Sequence, residues 1–131
     1  MDEKARILVC GGRHFADYEL LKTIANQYLQ KHNISPQDVE IVSGHCQGTD
    51  RLGEKYASEH GCGLAIFPAK WDKYGRAAGP IRNKEMIHYI AQAERALVIA
   101  FASEKSVGTK NTVALARKMN IQVFYTEYEG S

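Results

Sequence analysis

The chain alternates short, uniformly apolar runs with longer amphipathic ones. Ala5-Arg6-Ile7-Leu8-Val9-Cys10, Val39-Glu40-Ile41-Val42, Leu64-Ala65-Ile66-Phe67, Ala96 to Phe101 and Ile121 to Tyr125 have the length and β-branched content of strands. From Asp17 to about Lys31, Leu20, Leu21, Ile24, Tyr28 and Leu29 recur on one helical face, with Asp17 as N-cap. A second helix turns Leu52, Tyr56 and Ala57 inward and ends at Gly61. A third has Pro80 at its first position, where the missing N–H costs nothing, and a fourth runs from Thr109 to Met119. Runs this apolar leave no face for water. The pattern therefore predicts an α/β domain of doubly wound, Rossmann-like form: a five-stranded parallel sheet with helices on both faces. Right-handed crossovers leave few topologies, and order 3-2-1-4-5 is favoured over 2-1-3-4-5 because it sets the turns after strands one and four either side of the crevice where the winding reverses.

Four glycine-bearing turns follow these runs: Gly11-Gly12-Arg13, Ser43-Gly44-His45-Cys46-Gln47-Gly48-Thr49-Asp50, Gly79-Pro80-Ile81-Arg82-Asn83 and Ser106-Val107-Gly108-Thr109. In a parallel sheet the turns that follow strands collect at the carboxyl edge, where such sheets bind ligands. A helix start offers unpaired N–H groups to phosphate, and glycine lets the ligand approach; tight turning alone is the competing use of each glycine. Thr49 is expected to cap its helix or donate to a phosphate oxygen. Arg13, Arg51 and Arg82 fall on this edge, with forked guanidinium groups suited to anions, and Lys105 and Lys110 are lesser candidates. The connection from Pro68 to Gly79 carries Trp71, the single tryptophan, and Tyr74. Either ring offers a stacking surface for a base, while Trp71 has the alternative role of pinning the loop to the sheet edge.

Composition narrows the chemistry. A chain of 131 residues suffices for one core, so residues 1–131 read as one domain, with a core from about 5 to 125 and a loose tail from Glu127 to Ser131. Cys10, Cys46 and Cys62 lack paired spacing, which argues against a disulfide framework and a metal site. A signal peptide and a membrane-length apolar run are not found, so a cytoplasmic protein with no membrane partner is expected. A net charge of +2 does not identify a nucleic-acid binder. The Ser43–Asp50 turn is one residue short of a P-loop and lacks its lysine, and the first turn lacks the full dinucleotide fingerprint. Cys46 precedes a helix start, but adjacent His45 points elsewhere in most backbones, so a nucleophile pair is disfavoured.

In order along the chain, Cys10-Gly11-Gly12-Arg13, Val42-Ser43-Gly44 with Gly48-Thr49-Asp50-Arg51, Phe67-Pro68-Ala69 with Trp71, Gly79 to Asn83 and Ser106 to Thr109 together resemble the YspA/cpYpsA-related branch of the SLOG superfamily. The resemblance covers about residues 5–125. It implies a Rossmann-like domain of bacteria or their phages (host cytoplasm if phage-encoded) that binds a nucleotide or nucleotide-derived ligand, NAD/ADP-ribose-like or cyclic, as a sensor or sequestering module. The ligand residues would come from Gly11, Gly12, Arg13, Ser43, Gly44, Gly48, Thr49, Asp50, Pro68, Trp71, Arg82, Asn83, Ser106, Gly108 and Thr109. No cofactor is required, and a homo-oligomer is possible. The superfamily also holds the Lonely Guy phosphoribohydrolases, which use an arginine and the glutamate of a P-G-G-x-G-T-x-x-E motif. Arg82 is the counterpart of that arginine, but Thr112 stands where the glutamate belongs. A phosphoribohydrolase-like N-glycosidic hydrolase is thus the alternative, with Asp50, Glu54 and Arg82 as catalytic candidates, since a carboxylate must face the developing sugar cation. Single-stranded nucleic-acid binding, by analogy with DprA relatives, is a further alternative.

Overall fold

The computed structural model describes residues 4–129. Strands β1 (Ala5–Gly11), β2 (Val39–Ser43), β3 (Gly63–Ile66), β4 (Arg95–Ala102) and β5 (Gln122–Glu127) form one sheet in the order β3-β2-β1-β4-β5. Every pairing is parallel. The favoured order is the observed one, and the winding reverses between β1 and β4. Helices α1 (Tyr18–Lys31) and α2 (Thr49–His60) cover one face; α4 (Ala78–Ile90) and α5 (Val107–Lys118) cover the other.

Strand periodicity divides the core. Ile7, Val9, Ile41, Leu97, Ile99 and Phe101 point to the α1/α2 side, where Leu21, Tyr28 and Tyr56 meet them. Leu8, Val42, Val98 and Ala100 point to the other side, against Met86, Ile87, Ile90 and Val113. The central strands thus bury both faces, which is why their sequences do not alternate. Asp17 caps α1 as expected, its carboxylate accepting from the Leu20 amide at 3.1 Å.

Three expectations are corrected. The 68–79 connection is not a plain loop: it holds a short helix, α3 (Trp71–Tyr74), and a 3-10 turn (Gly75–Ala77) that runs straight into α4. Pro80 is accordingly the third residue of α4 and not the first, a position whose N–H is still among the unpaired amides of a helix start. The tail is not loose where it is described. Glu127 closes β5, and the Tyr128 amide donates to the Ala102 carbonyl at 3.0 Å. The rest of that segment, residues 130–131, lies outside the described residues.

Candidate ligand-binding site

The carboxyl edge opens at the β1/β4 reversal into a cavity of about 400 Å³. Its wall takes Gly11, Gly12 and Arg13 from the first turn, Asp50 from α2, Arg82 and Asn83 from α4, and Ser106, Gly108 and Thr109 from the start of α5. Nine predicted residues therefore meet around one hollow. Ser43, Gly44, Gly48 and Thr49 do not reach its surface and form a scaffold behind it, while Pro68 and Trp71 lie outside. Trp71 is 57% exposed, with its ring edge packed toward Gly79, so it does not pin the connection by burial.

The first two turns are stitched to each other. Gly12 donates its amide to the Phe101 carbonyl at 2.9 Å, and its own carbonyl accepts from the Thr49 amide at 3.3 Å and the Thr49 hydroxyl at 3.0 Å. Thr49 is fully buried, so its hydroxyl is committed to Gly12, and Gly48 takes the N-cap position that had been expected of Thr49. Gly48 has φ +80°, and a Cβ there would strike the Gly12 and Arg13 carbonyls. A Cβ on Gly11 would strike the Phe101 carbonyl and the Thr49 hydroxyl. These glycines let backbone approach backbone, not ligand approach backbone.

Arg82 and Asp50 hold the second turn from the cavity side. Arg82 is 8% exposed; its Nη1 donates to the Gly44 carbonyl at 2.9 Å and the Phe67 carbonyl at 3.4 Å, and its Nε to Asn83 Oδ1 at 2.7 Å. Nη2 makes no hydrogen bond among the described residues, leaving one edge of the guanidinium unspent. Asp50 is 6% exposed and accepts from the Cys46 amide at 3.1 Å. Burial pushes its carboxyl up to about 6, against the opposing pull of the Cys46 amide and the Arg82 charge. Burial likewise drives the Cys10 thiol, on the same wall, far above its ordinary value, so it stays protonated.

Glu54 belongs to a different cluster. Its Oε2 accepts from the Ser43 hydroxyl and meets His45 Nδ1, both at 2.8 Å, and it does not line the cavity. The Ser43 hydroxyl is spent on this bond and accepts from the His45 amide at 3.0 Å. His45 faces Glu54, so no Cys46–His45 pair forms. Arg51 turns toward the His45 carbonyl at 3.4 Å and also stays outside the cavity.

The fourth turn contrasts with the first two. The first intrahelical bond of α5 runs from the Lys110 amide to the Ser106 carbonyl at 3.0 Å, so the Val107, Gly108 and Thr109 amides are the unpaired donors of a helix start. Ser106 gives its hydroxyl to the turn itself, accepting from the Ser103 amide at 3.0 Å. Thr109, 9% exposed, makes no side-chain hydrogen bond among the described residues and lines the cavity. Lys105 and Arg13 line the same cavity. Three amides, a hydroxyl, the helix dipole and nearby cations make the start of α5 chemically suited to an anionic group.

The family model of the YspA, cpYpsA-related SLOG family matches residues 5–74, which carry the stitched first and second turns. The chain belongs to this family. Arg82 and the anion-ready fourth turn fall beyond the matched segment of the SLOG model. The chain is also 28% identical over 123 residues to the Gene 61 protein of Mycobacterium phage D29, spanning 90% of this chain and 93% of that protein. No solved structure matches this SLOG chain.

Sequence reasoning passed over Ser103 and Tyr128 and weighed Thr112 only as the residue in the glutamate's place; all three also line the cavity. Thr112 donates to the Gly108 carbonyl at 3.0 Å, so the residue in the glutamate's place supports the helix start. Tyr128 lies beyond the last predicted strand, and only the register of β5 against β4 shows that residues 127–128 reach the carboxyl edge. No group of three or more His, Cys, Asp or Glu residues able to hold a metal occurs among the described residues, and no described helix is long and apolar enough to cross a membrane.

Proposed function

We propose that this SLOG-family chain binds a nucleotide or nucleotide-derived ligand at the carboxyl edge, as a sensor or sequestering module. An NAD/ADP-ribose-like or cyclic nucleotide is the class the reading favours, and the cytoplasm, that of the host if the gene is a phage's, is the compartment. One observation carries the reading: the unclaimed α5 amides and Thr109 hydroxyl share a cavity with the open edge of Arg82 and the buried carboxyl of Asp50. Phosphate belongs at α5, and ribose hydroxyls belong at Asp50, which when ionised only accepts hydrogen bonds. A thermal-shift screen of nucleoside monophosphates, NAD, ADP-ribose and cyclic nucleotides tests it. A ligand at a hundred times its Kd stabilises the fold by about 2.7 kcal/mol. Arg82→Ala, compared with its own unliganded melting point, loses most of that response; no shift from any member of the panel contradicts the reading.

Asp50 favours one second reading, hydrolysis of an N-glycosidic bond. A carboxyl titrating at about 6 inside a cavity has the tuning that proton transfer near neutral pH requires. Base release from nucleoside monophosphates or ADP-ribose compounds that stops in Asp50→Asn and persists in Glu54→Gln supports it. Absence of product across those substrates removes it.

A further inference from the structure

Tyr128 stands in the crevice between the first and fourth turns. Its ring meets Phe15 edge-on at 5.3 Å, and Phe15 in turn stacks on Phe101 at 4.0 Å, so the aromatic body is braced against the core. Its backbone is pinned to β4 through the Ala102 carbonyl. Its hydroxyl lies over Gly12, where a Cβ would collide with it, and that same Cβ position is 3.0 Å from Ser106 Oγ. The phenolic oxygen is therefore lodged between the two turns, and it makes no hydrogen bond among the described residues. A side chain at Gly12 would have to displace this hydroxyl. Tyr128 also lines a second hollow with Ser103, Glu104 and Lys110 on the β5 side, so it borders both cavities, as Ser103 does.

We infer that Tyr128 is a ligand-contacting, specificity-determining residue whose phenolic O–H donates to the anionic group seated at the start of α5. The inference rests on the proposed nucleotide-binding reading. A braced ring with an unspent donor aimed into a crevice of amides and cations adds a directional contact to those the amides and guanidinium groups offer. It also limits the depth of the crevice on the β5 side, so the ligand's remaining bulk extends toward Asp50 and Arg82.

The test is calorimetric titration of wild type and Tyr128→Phe with AMP and ADP-ribose, using adenosine as the probe without phosphate. The variant keeps the ring and its packing on Phe15, and equal unliganded melting points for the two proteins establish that the fold is intact. Loss of a hydrogen bond to a charged group predicts about tenfold weaker AMP and ADP-ribose binding and unchanged adenosine binding. A merely structural role for the tyrosine moves all three probes together. Equal affinities of the two proteins for AMP and ADP-ribose, or a parallel loss for adenosine, overturn this inference and leave the nucleotide-binding reading standing. Failure of wild type to bind any of the three overturns this inference as well, while the nucleotide-binding reading is decided by the wider thermal-shift panel.

Discussion

Two helix starts on the same rim spend their side-chain hydroxyls and leading amides differently. At α2 most of the turn is tied to its neighbours: the Thr49 amide and hydroxyl go to Gly12, the Cys46 amide to Asp50, and the Ser43 hydroxyl to Glu54, which leaves only the Asp50 and Arg51 amides ahead of the first intrahelical bond from Leu52 to Gly48. At α5 the three leading amides and the Thr109 hydroxyl are left to the cavity. Glycine is present in both turns, but at α2 it lets main chain pack on main chain, and at α5 Gly108 is exposed with only Asn83 near. The same residue type at the same topological position thus serves assembly in one place and access in the other. What separates them is whether a neighbouring turn supplies the acceptors.

Substitutions can break that contrast. Gly48→Ala combines a left-handed backbone with a collision against the Gly12 and Arg13 carbonyls, and should cost about 3 kcal/mol in urea unfolding. A cost below 1 kcal/mol would show that the stitched turn yields easily. Asp50→Asn should act in the other direction. Because its folded pKa is raised from 3.8 to about 6, the stability contributed by Asp50 is fully present below about pH 3.8 and is lost as pH rises through about 6. The asparagine variant should therefore match wild type near pH 4 and exceed it by about 1–3 kcal/mol at pH 7–8, read as the difference between paired unfolding curves. A difference independent of pH would mean that burial does not hold the carboxyl up.

The smaller effects sharpen the comparison. Thr49→Val removes a buried hydroxyl donor and should cost about 1 kcal/mol. Its affinity for AMP should stay within about twofold of wild type, because the lost contact serves the scaffold. Thr109→Val should change stability by less than about 0.5 kcal/mol, since no protein partner is lost, yet weaken AMP binding about tenfold. Unfolding and titration of this pair give a crossed pattern if the two turns differ as described. Affinity loss confined to Thr49→Val would reverse the assignment.

The strands and their order were legible because the runs are mostly apolar and the crossovers have one hand, although only the central strands are closed to water and the edge strands β3 and β5 leave Leu64, Ile66 and Phe124 exposed. The short α3 was not, since four residues have too little periodicity to register and the 68–79 segment is polar and glycine-containing. The rim itself was legible as a set of turns, and Gly11, Arg13, Asp50, Arg82 and Thr109 do share one hollow. Which of those turns still has donors to offer could not be read, because it depends on contacts between residues as distant as Gly12 and Thr49. Tyr128 escaped for a related reason. Its place is set by β5 continuing past Tyr125 in register with β4, and nothing local in the sequence after Tyr125 marks that continuation.

The proposed seat of the ligand's anionic group is the open start of α5. An amide-resolved NMR titration of the whole chain with AMP reads it directly. The largest shift changes are expected at the Val107, Gly108 and Thr109 amides, with the already bonded amides of Cys46 and Thr49 moving far less. Changes led by Cys46 and Thr49, or centred on the opposite edge of the sheet, would contradict it.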